Sequence, residues 1–526
     1  MSPSTADLHT TDRAGRESLP PRLVFIFAVA CGITVANLYW AQPLLDTIAT
    51  TFRASTAAAG LIVTFTQISY AVGLLFLVPL GDLLERKRLI LTLMAVIALA
   101  LAGATYAPSI HWFIAASLLI GGTSAVAQIL VPFAAHLAQE WERGKVVGQV
   151  MSGLLLGILL ARTLAGLISS LVSWRAVFAF AAILMAVQSL VFLKYLPRHR
   201  LGLNMSYPAL LGSIWHLVRA EPTLRLRSLY GGLVFANFSI LWTSLTFLLA
   251  GPHYHYSDAV IGLFGMVGAA GALSANVAGR LADRGLGNRA TLCFLLLNIV
   301  AFLLMIPGEH YVLPLLAGII ILDAGVQGTH IINQSEIYRL NPEARSRITT
   351  AYMFSFFCGG AIGSAISAAV YAARGWSGVV GLGVGCSAIA LLVWLVEQAV
   401  SRNVESEQKI SLGSAPHVFP TGIRFSGERS GKAGLLFSTF SALRSGWRER
   451  PWLHSDSPFR RAALRPLGPG RSLFGPGGGL EIFPAASAGL ACCPHRGCRQ
   501  RHRSPFPLAF KTVQHVIQVL RKLSLA

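Results

Sequence analysis

Long apolar runs separated by short polar segments dominate the chain. Examples are Leu89–Ala107, Ala176–Leu193 and Val312–Leu322, and charged residues lie at or near the ends of these runs. About 20 helical residues are needed to cross the roughly 30 Å hydrocarbon core of a bilayer. A backbone in lipid must satisfy its own hydrogen bonds, and the runs lack the alternation of a membrane barrel. Each run is therefore predicted to be a transmembrane helix.

Hydropathy divides the first 400 residues into twelve such runs. They are 22–45, 57–80, 89–107, 111–138, 147–172, 175–196, 227–250, 258–280, 291–306, 312–336, 348–373 and 376–400. The predicted fold class is an all-α integral membrane protein with twelve transmembrane helices.

The two halves of this apolar region repeat the same devices. The stretch GDLLER, Gly81–Arg86, follows span two, and GRLADR, Gly279–Arg284, follows span eight. Each half also has an arginine before its fifth span and a tryptophan at its sixth, with the same separation. These pairs are Arg143 with Trp174 and Arg345 with Trp376. The repeat predicts two pseudo-symmetric six-helix bundles, which would bind a ligand between them near the midplane.

This repeat sets the predicted domain boundaries. They are a cytoplasmic N-terminal tail 1–21, a first bundle 22–196, a cytoplasmic linker loop 197–226, a second bundle 227–400 and a tail 401–526. The last tail is rich in Gly, Pro, Ser and Arg, and it is predicted to be mostly disordered. Its residues 508–523 have one apolar face, which is either a membrane-surface helix or a chance pattern.

Composition excludes a soluble globular protein. Only 12% of the 526 residues are charged and 54% are hydrophobic, with a mean hydropathy of +0.60. Soluble domains carry about 25% charged residues. No phosphate-binding Gly-Lys-Ser/Thr loop, nucleophile motif or paired carboxylates are found, and the cysteines and histidines of 493–502 lack the spacing of an ordinary zinc site. We therefore expect no enzyme activity, no cofactor and no metal.

The formal charge of +21 follows the loops rather than a nucleic-acid surface. Residues 403–526 hold 18 Lys and Arg against 6 Asp and Glu. Most other basic residues fall in one set of loops, whereas the opposite loops hold only Arg53, Arg175 and Arg374. Positive charge marks cytoplasmic loops. Both termini are therefore predicted to be cytoplasmic, and no nucleic-acid partner is expected.

Several stretches connect these features to a known family. The repeated Gly-x-Leu-x-Asp/Glu-Arg pattern resembles the loop signature of major facilitator transporters. Three longer stretches resemble bacterial sugar-efflux-permease-like and drug:proton-antiporter-like carriers: Ala36–Leu45 (ANLYWAQPLL), Met151–Gly166 (MSGLLLGILLARTLAG) and Asp323–Leu340 (DAGVQGTHIINQSEIYRL). The resemblance covers residues 22–400. It implies a monomer in a bacterial inner membrane with a small-molecule substrate and protons as coupling ion.

The resemblance also implies a cytoplasmic latch that closes in one transport state. Its residues would be Gly81, Glu85, Arg86, Gly279, Asp283 and Arg284. Glycine lets the backbones approach, and the acids can meet an arginine or a helix N-terminus of the other bundle. The alternative is that these charges only set the membrane orientation.

Two charges lie well inside predicted spans, away from their ends. Arg162 is in span five, and Asp323 is in span ten as the one acid placed well inside a span. A charge at membrane depth should face the protein interior with a partner, and Asp323 is the candidate partner of Arg162. Gln327, His330 and Gln334 follow Asp323 on the same helical face. This stripe either lines a cavity or binds neighbouring helices, and His330 either titrates in a proton cycle or is a packing residue.

Further polar contacts come from the helices that line the cavity in this family. Asn37, Gln42, Gln128 and Trp242 are candidates for substrate contact, with hydrogen bonding between helices as the alternative. The predicted function is a secondary transporter with alternating access, most simply a proton-coupled exporter. An importer of a sugar or organic acid and a non-transporting sensor or scaffold are the alternatives.

Truncation after Arg402 tests the tail. Because the twelfth span is complete at residue 400, the truncated protein should insert, fold and transport like the full chain. Membrane fractionation, melting temperature in detergent and transport would be compared. Loss of transport with normal insertion would instead make the tail a regulatory segment.

Overall fold

The structure is a computed structural model that describes residues 19–198, 205–268, 271, 274–341 and 344–413, with side chains as far as residue 400. The N-terminal residues 1–18 and the tail beyond Gly413 lie outside the described residues. The expectations for 493–502 and 508–523 therefore remain predictions.

Helices form every predicted span of the first half. They are α1 Pro21–Ala36, a 3-10 turn Gln42–Leu44, α2 Leu45–Phe52, α3 Thr56–Phe76, α4 Leu80–Leu83, α5 Arg86–Thr105, α6 Ile110–Ser124, α7 Ala127–Leu137, α8 Arg143–Leu171 and α9 Trp174–Tyr195. Short turns at both ends of the helices join neighbouring spans.

The second half repeats this arrangement after a short connecting helix. Its elements are α10 Tyr207–Ala220, α11 Pro222–Ala250, α12 Asp258–Val267, α13 Ser274–Asp283, α14 Gly287–Leu304, a 3-10 turn Ile306–Glu309, α15 Val312–Tyr338 and α16 Arg345–Gly413. Within the described residues, nine helical segments are long and apolar enough to cross a membrane, and one of them, Arg345–Val400, has the length of two spans. Helix α16 bends between those two spans at Gly375, whose φ of 63° suits glycine.

The structure departs from the predicted continuous helix in spans one and eight. Span one stops at Ala36, and Trp40 donates its indole N–H to the Asn37 carboxamide before the 3-10 turn begins at Gln42. In span eight, α12 ends at Val267 and Gly268 lies in a turn, whereas Gly271 is again helical. A Cβ atom on either glycine would collide with the Asp323 side chain. Both interruptions therefore lie beside the buried charges.

The predicted linker loop contains a helix, and the last helix is longer than predicted. Leu210 and Ile214 are buried on one face of α10, which explains why this basic segment folds. The Tyr207 hydroxyl donates to the Phe76 carbonyl, 2.8 Å away, so α10 is held against the end of α3. Helix α16 continues past the predicted end at 400 as far as Gly413.

Glycine contacts repeat between the halves, as the pseudo-symmetry requires. In the first half, α1 and α8 approach so closely that a Cβ on Gly157 would collide with the Gly32 backbone. In the second half, a Cβ on Gly359 would collide with Gly232 where α11 meets α16. Small residues allow this approach of transmembrane helices.

The halves meet at one end of the molecule. We call this the outer end, because it carries the loops with Arg53, Arg175 and Arg374, and the opposite end the inner end. At the outer end Gly166 of α8 abuts Asp258 of α12, and Gly60 of α3 abuts Ala368 of α16. Towards the inner end, a Cβ on Gly148 or Gly279 would meet no atom within 4 Å. Helix α8 and the helices of span eight thus touch at the outer end and separate towards the inner end.

Substitution of two glycines on α8 should separate packing from open space. Gly157→Leu forces a side chain into the Gly32 backbone and should lower the free energy of unfolding by about 1–3 kcal/mol. Gly148→Leu is the matched control, because its new side chain meets open space. Melting temperature in detergent measures both. Equal melting temperatures for the two variants would contradict the close packing of α1 on α8.

Candidate functional site

A buried arginine lies where the halves meet. Arg162 on α8 is 3% exposed and donates from Nε to the Gln42 side-chain oxygen at 2.8 Å. Its Cζ lies 4.1 Å from the Trp242 ring centroid, 4.8 Å from Tyr39 and 5.4 Å from Phe238. Arginine stacks well on aromatic faces because its guanidinium is planar and weakly hydrated. Residues of both halves thus surround this cation.

Asp323 reaches the same tryptophan from α15. The Trp242 indole N–H donates to Asp323 Oδ1 at 3.3 Å, and Asp323 is 5% exposed. Arg162 and Asp323 form none of the ion pairs found in the described part of the chain, so the predicted pair is joined through Trp242 rather than by direct contact. A cation from the first half and an acid from the second half therefore contact one ring. We call Arg162, Gln42, Tyr39, Phe238, Trp242 and Asp323 the charged cluster.

The polar stripe of α15 leads away from this cluster towards the inner end. Asp323 is buried, whereas Gln327, His330 and Gln334 are half-buried. His330 Nδ1 lies 3.0 Å from the Tyr352 hydroxyl, and its ring is 4.6 Å from Phe356. His330 is thus bound to α16 in this state.

Two other predicted contacts are engaged within the first half. Asn37 is buried and accepts the Trp40 N–H at 3.0 Å. Gln128 is half-buried and donates to the Tyr70 hydroxyl at 3.4 Å. In the described residues both side chains bind neighbours of their own half.

The first loop signature is bound within its own half. Arg86 is buried and donates to the Gly81 carbonyl at 3.0 Å and to Asp82 at 3.1 Å. Glu85 pairs with Arg88 at 2.9 Å through one oxygen, while its other oxygen, Oε1, is buried without a hydrogen bond. This carboxylate thus keeps one free acceptor.

The second signature is open to solvent. Asp283 and Arg284 are exposed, and a Cβ on Gly279 would meet no neighbour within 4 Å. Within the described residues, the two signatures make no contact with each other and are separated at the inner end.

An acid that the sequence did not single out joins the halves at the outer end. Asp258, the first residue of α12, accepts the Thr47 hydroxyl at 2.7 Å and the Ser169 hydroxyl at 2.6 Å. Thr47 and Ser169 belong to the first half, and Asp258 belongs to the second. We call these three residues the outer clamp. A cavity of about 450 Å³, lined by Asp46, Ser170 and His255 among others, opens beside it.

Further hydrogen bonds support the clamp from deeper positions. Thr163 donates to the Gly262 carbonyl at 3.2 Å, and Thr246 donates to the Gln42 carbonyl at 2.7 Å. Gln67 and Ser239 share a contact at 3.2 Å. These bonds all lie at the outer end or the middle of the spans.

Sequence reasoning singled out Trp242 but did not identify Phe238 beside it. Phe238 precedes Trp242 by one helical turn, so the shared face could have been read from the spacing. Tyr39 lies in the interrupted part of span one, where no helical face can be assigned. Asp258 could not be singled out from the sequence, because acids are common in the first turn of a helix, where they interact favourably with the helix dipole.

A family model and several known proteins match this chain. The family model of the Major Facilitator Superfamily matches residues 24–335 and 277–466. The protein named "Uncharacterized transporter YgaY" of Escherichia coli O157:H7 is 50% identical over 376 residues, which cover 72% of this chain and 95% of that protein. The "Probable transporter SCO4007" of Streptomyces coelicolor is 34% identical, over 67% of this chain and 82% of its own.

Solved structures share the fold. A mutant of the nucleoside transporter NupG aligns with a TM-score of 0.60 at 15% identity, and the alignment covers 71% of this chain and 99% of that one.

Removal of single hydroxyls should open the outer clamp. Ser169→Ala and Thr47→Ala each leave Asp258 with one donor fewer, and a hydrogen bond to a charged group contributes about 1.5–3 kcal/mol. With Thr163→Cys as reporter in a chain whose other cysteines are replaced, labelling by an impermeant maleimide from the outer side should rise about tenfold.

Ser170→Ala is the matched control, because the Ser170 hydroxyl donates to Leu167 of its own helix. Labelling that rises equally in Ser170→Ala would show that the clamp does not hold the halves together.

Proposed function

Since this chain belongs to the Major Facilitator Superfamily, we propose that it is a proton-coupled secondary transporter in which bundles 22–196 and 227–400 move against each other around a small molecule. The observation that carries this proposal is the charged cluster. Arg162 from one bundle and Asp323 from the other are both buried against Trp242. Ionisable groups at membrane depth are costly, and they are retained where they serve transport.

The proposed cycle alternates between closure at the outer end and closure at the inner end. The outer clamp joins the bundles in the present state, while Gly148 and Gly279 face open space. In the opposite state the loop signatures would approach each other. Glu85 Oε1 would then have a partner, which it lacks here. The latch residues would thus exchange roles with the outer clamp.

Asp323 is the proposed proton carrier. It is the buried acid of the cluster, and it can exist as a carboxylate near Arg162 or as a neutral acid that keeps its contact with Trp242. A group that lies between the two bundles and changes its charge can shift the equilibrium between the transport states. It does so only if it interacts differently in the two states. The guanidinium of the opposite bundle provides that difference.

The substrate would enter along the stripe of α15. Gln327, His330 and Gln334 are half-buried below the cluster, so they would line the open path in this state. Both termini would lie inside, because basic residues concentrate in the inner loops. A bacterial cytoplasmic membrane is proposed from the Escherichia coli relative, and the monomer from the family resemblance. Export remains the predicted direction.

Proton movement in inside-out vesicles tests the coupling. Compounds would first be selected by growth inhibition of cells that lack or overproduce the protein. A ΔpH-sensitive dye should then report proton movement when a selected compound is added to wild-type vesicles. Asp323→Asn should abolish this signal, because an amide cannot exchange a proton but preserves the size of the side chain.

Glu140→Gln is the control, since Glu140 is an exposed acid outside the charged cluster, the outer clamp and the loop signatures. Proton movement that persists in Asp323→Asn refutes Asp323 as the carrier. Compound uptake without proton movement would indicate another coupling ion, and accumulation in intact cells would indicate an importer. A wild-type protein that moves no compound would favour a sensor.

A further inference from the structure

Two donors in the charged cluster lack partners. Arg162 Nη2 and Gln42 Nε2 are buried without a hydrogen bond in the described residues, and their side chains are only 3% and 1% exposed. The 2.8 Å bond from Arg162 Nε to Gln42 Oε1 fixes the two side chains next to each other. An unsatisfied buried donor is destabilising, so a ligand that supplies acceptors would be stabilised here.

From this geometry we propose that the substrate is a small organic monoanion whose carboxylate is bound by Arg162 and Gln42. The inference rests on the proposed transport function and names its substrate class. N–H groups can only donate, so their missing partner is an acceptor. A guanidinium edge matches the two oxygens of a carboxylate.

Three aromatic rings and Gln42 surround the Arg162 guanidinium. The ring centroids of Tyr39, Phe238 and Trp242 all lie within 5.4 Å of Arg162 Cζ, so these rings surround the cation with apolar surface. Gln42 occupies the Nε side. A carboxylate would place one oxygen on Arg162 Nη2 and the other on Gln42 Nε2, the two donors without partners in the described residues.

The charge of the cluster selects one negative charge. Arg162 is its one cation among the described residues, while Asp323 contributes an acid on the other side of Trp242. When Asp323 is protonated, one negative charge balances Arg162, whereas a dianion would leave excess negative charge in a medium of low dielectric constant, where this is costly. An organic cation would be repelled by the guanidinium, and it would offer no acceptor to the two free donors.

Aromatic side chains next to the cluster suit an apolar body. Phe235 stacks on Phe238 with centroids 5.2 Å apart and on Phe356 at 4.1 Å, and Phe357 lies 5.1 Å from Phe235. This surface continues from Phe238 along α11 towards the inner end. The ligand that fits is a monocarboxylate with an aliphatic or aromatic body, rather than an inorganic anion.

Binding to the purified protein in detergent tests the substrate class. The probes are aliphatic and aromatic monocarboxylates, among them benzoate and phenylacetate, each with its neutral amide, together with benzylamine. The melting temperature of the full chain gives the binding constants. At least one carboxylate should bind about tenfold more tightly than its amide, because only the carboxylate forms charge-assisted bonds with the guanidinium.

Three variants assign this selectivity to the cluster. Arg162→Gln should lose it, and Arg162→Lys, which keeps the charge without the planar edge, should lose most of it. Arg175→Gln is the matched control, because Arg175 also lies over a tryptophan, 4.3 Å from the Trp174 centroid, but at the outer end. Asp323→Asn should strengthen carboxylate binding several-fold, because the competing negative charge is removed.

The wild-type panel alone can overturn the proposal, whether or not the variants fold. Stabilisation by the amides or benzylamine but by no carboxylate refutes it, as does a panel in which nothing binds. Selectivity that survives in Arg162→Gln would refute the assignment to Arg162. The assay needs no proton gradient. Carboxylate binding without transport would therefore contradict the proposed function, while Arg162 and Gln42 would still form a carboxylate-binding site.

Discussion

Burial of the Arg162 charge is the constraint on which the arrangement of the two halves depends. A guanidinium at membrane depth must be compensated inside the protein. Its partners come from separate places: Gln42 from the interrupted part of span one, Trp242 from α11, and Asp323 through that tryptophan. Satisfying this one cation thus brings the outer parts of both halves together.

The small residues of span eight follow from the same requirement. A Cβ on Gly265 would collide with the Arg162 side chain, and one on Gly268 or Gly271 would collide with Asp323. Helices can approach a buried charge this closely only where side chains are absent. Helix α12 ends directly before Gly268. Close packing at the outer end therefore coexists with separation at the inner end.

A carboxylate substrate would connect the cluster to the coupling ion. The substrate and an ionised Asp323 would compete for Arg162, so a neutral Asp323 favours the loaded site. Trp242 contacts both Arg162 and Asp323, so a change of charge at one would alter the surroundings of the other. The outer clamp lies on the same two halves, which would let occupancy of the cluster bias the clamp.

The sequence alone determined the membrane architecture, because the cost of burying polar backbone in lipid is local and leaves long apolar runs. The repeated signatures and the matching arginine–tryptophan pairs revealed the internal symmetry. Arg162 and Asp323 stood out because charges inside such runs are rare.

Three things were decided only by the tertiary structure: the role of Trp242 between the charges, the pairing of Gln42 with Arg162, and the clamp at Asp258. Each depends on which distant helices meet, and that is set by side-chain packing between segments up to about two hundred residues apart, as for Thr47 and Asp258. The helix in the linker was likewise missed, because its apolar face became meaningful only once α3 and α16 offered a surface to cover it.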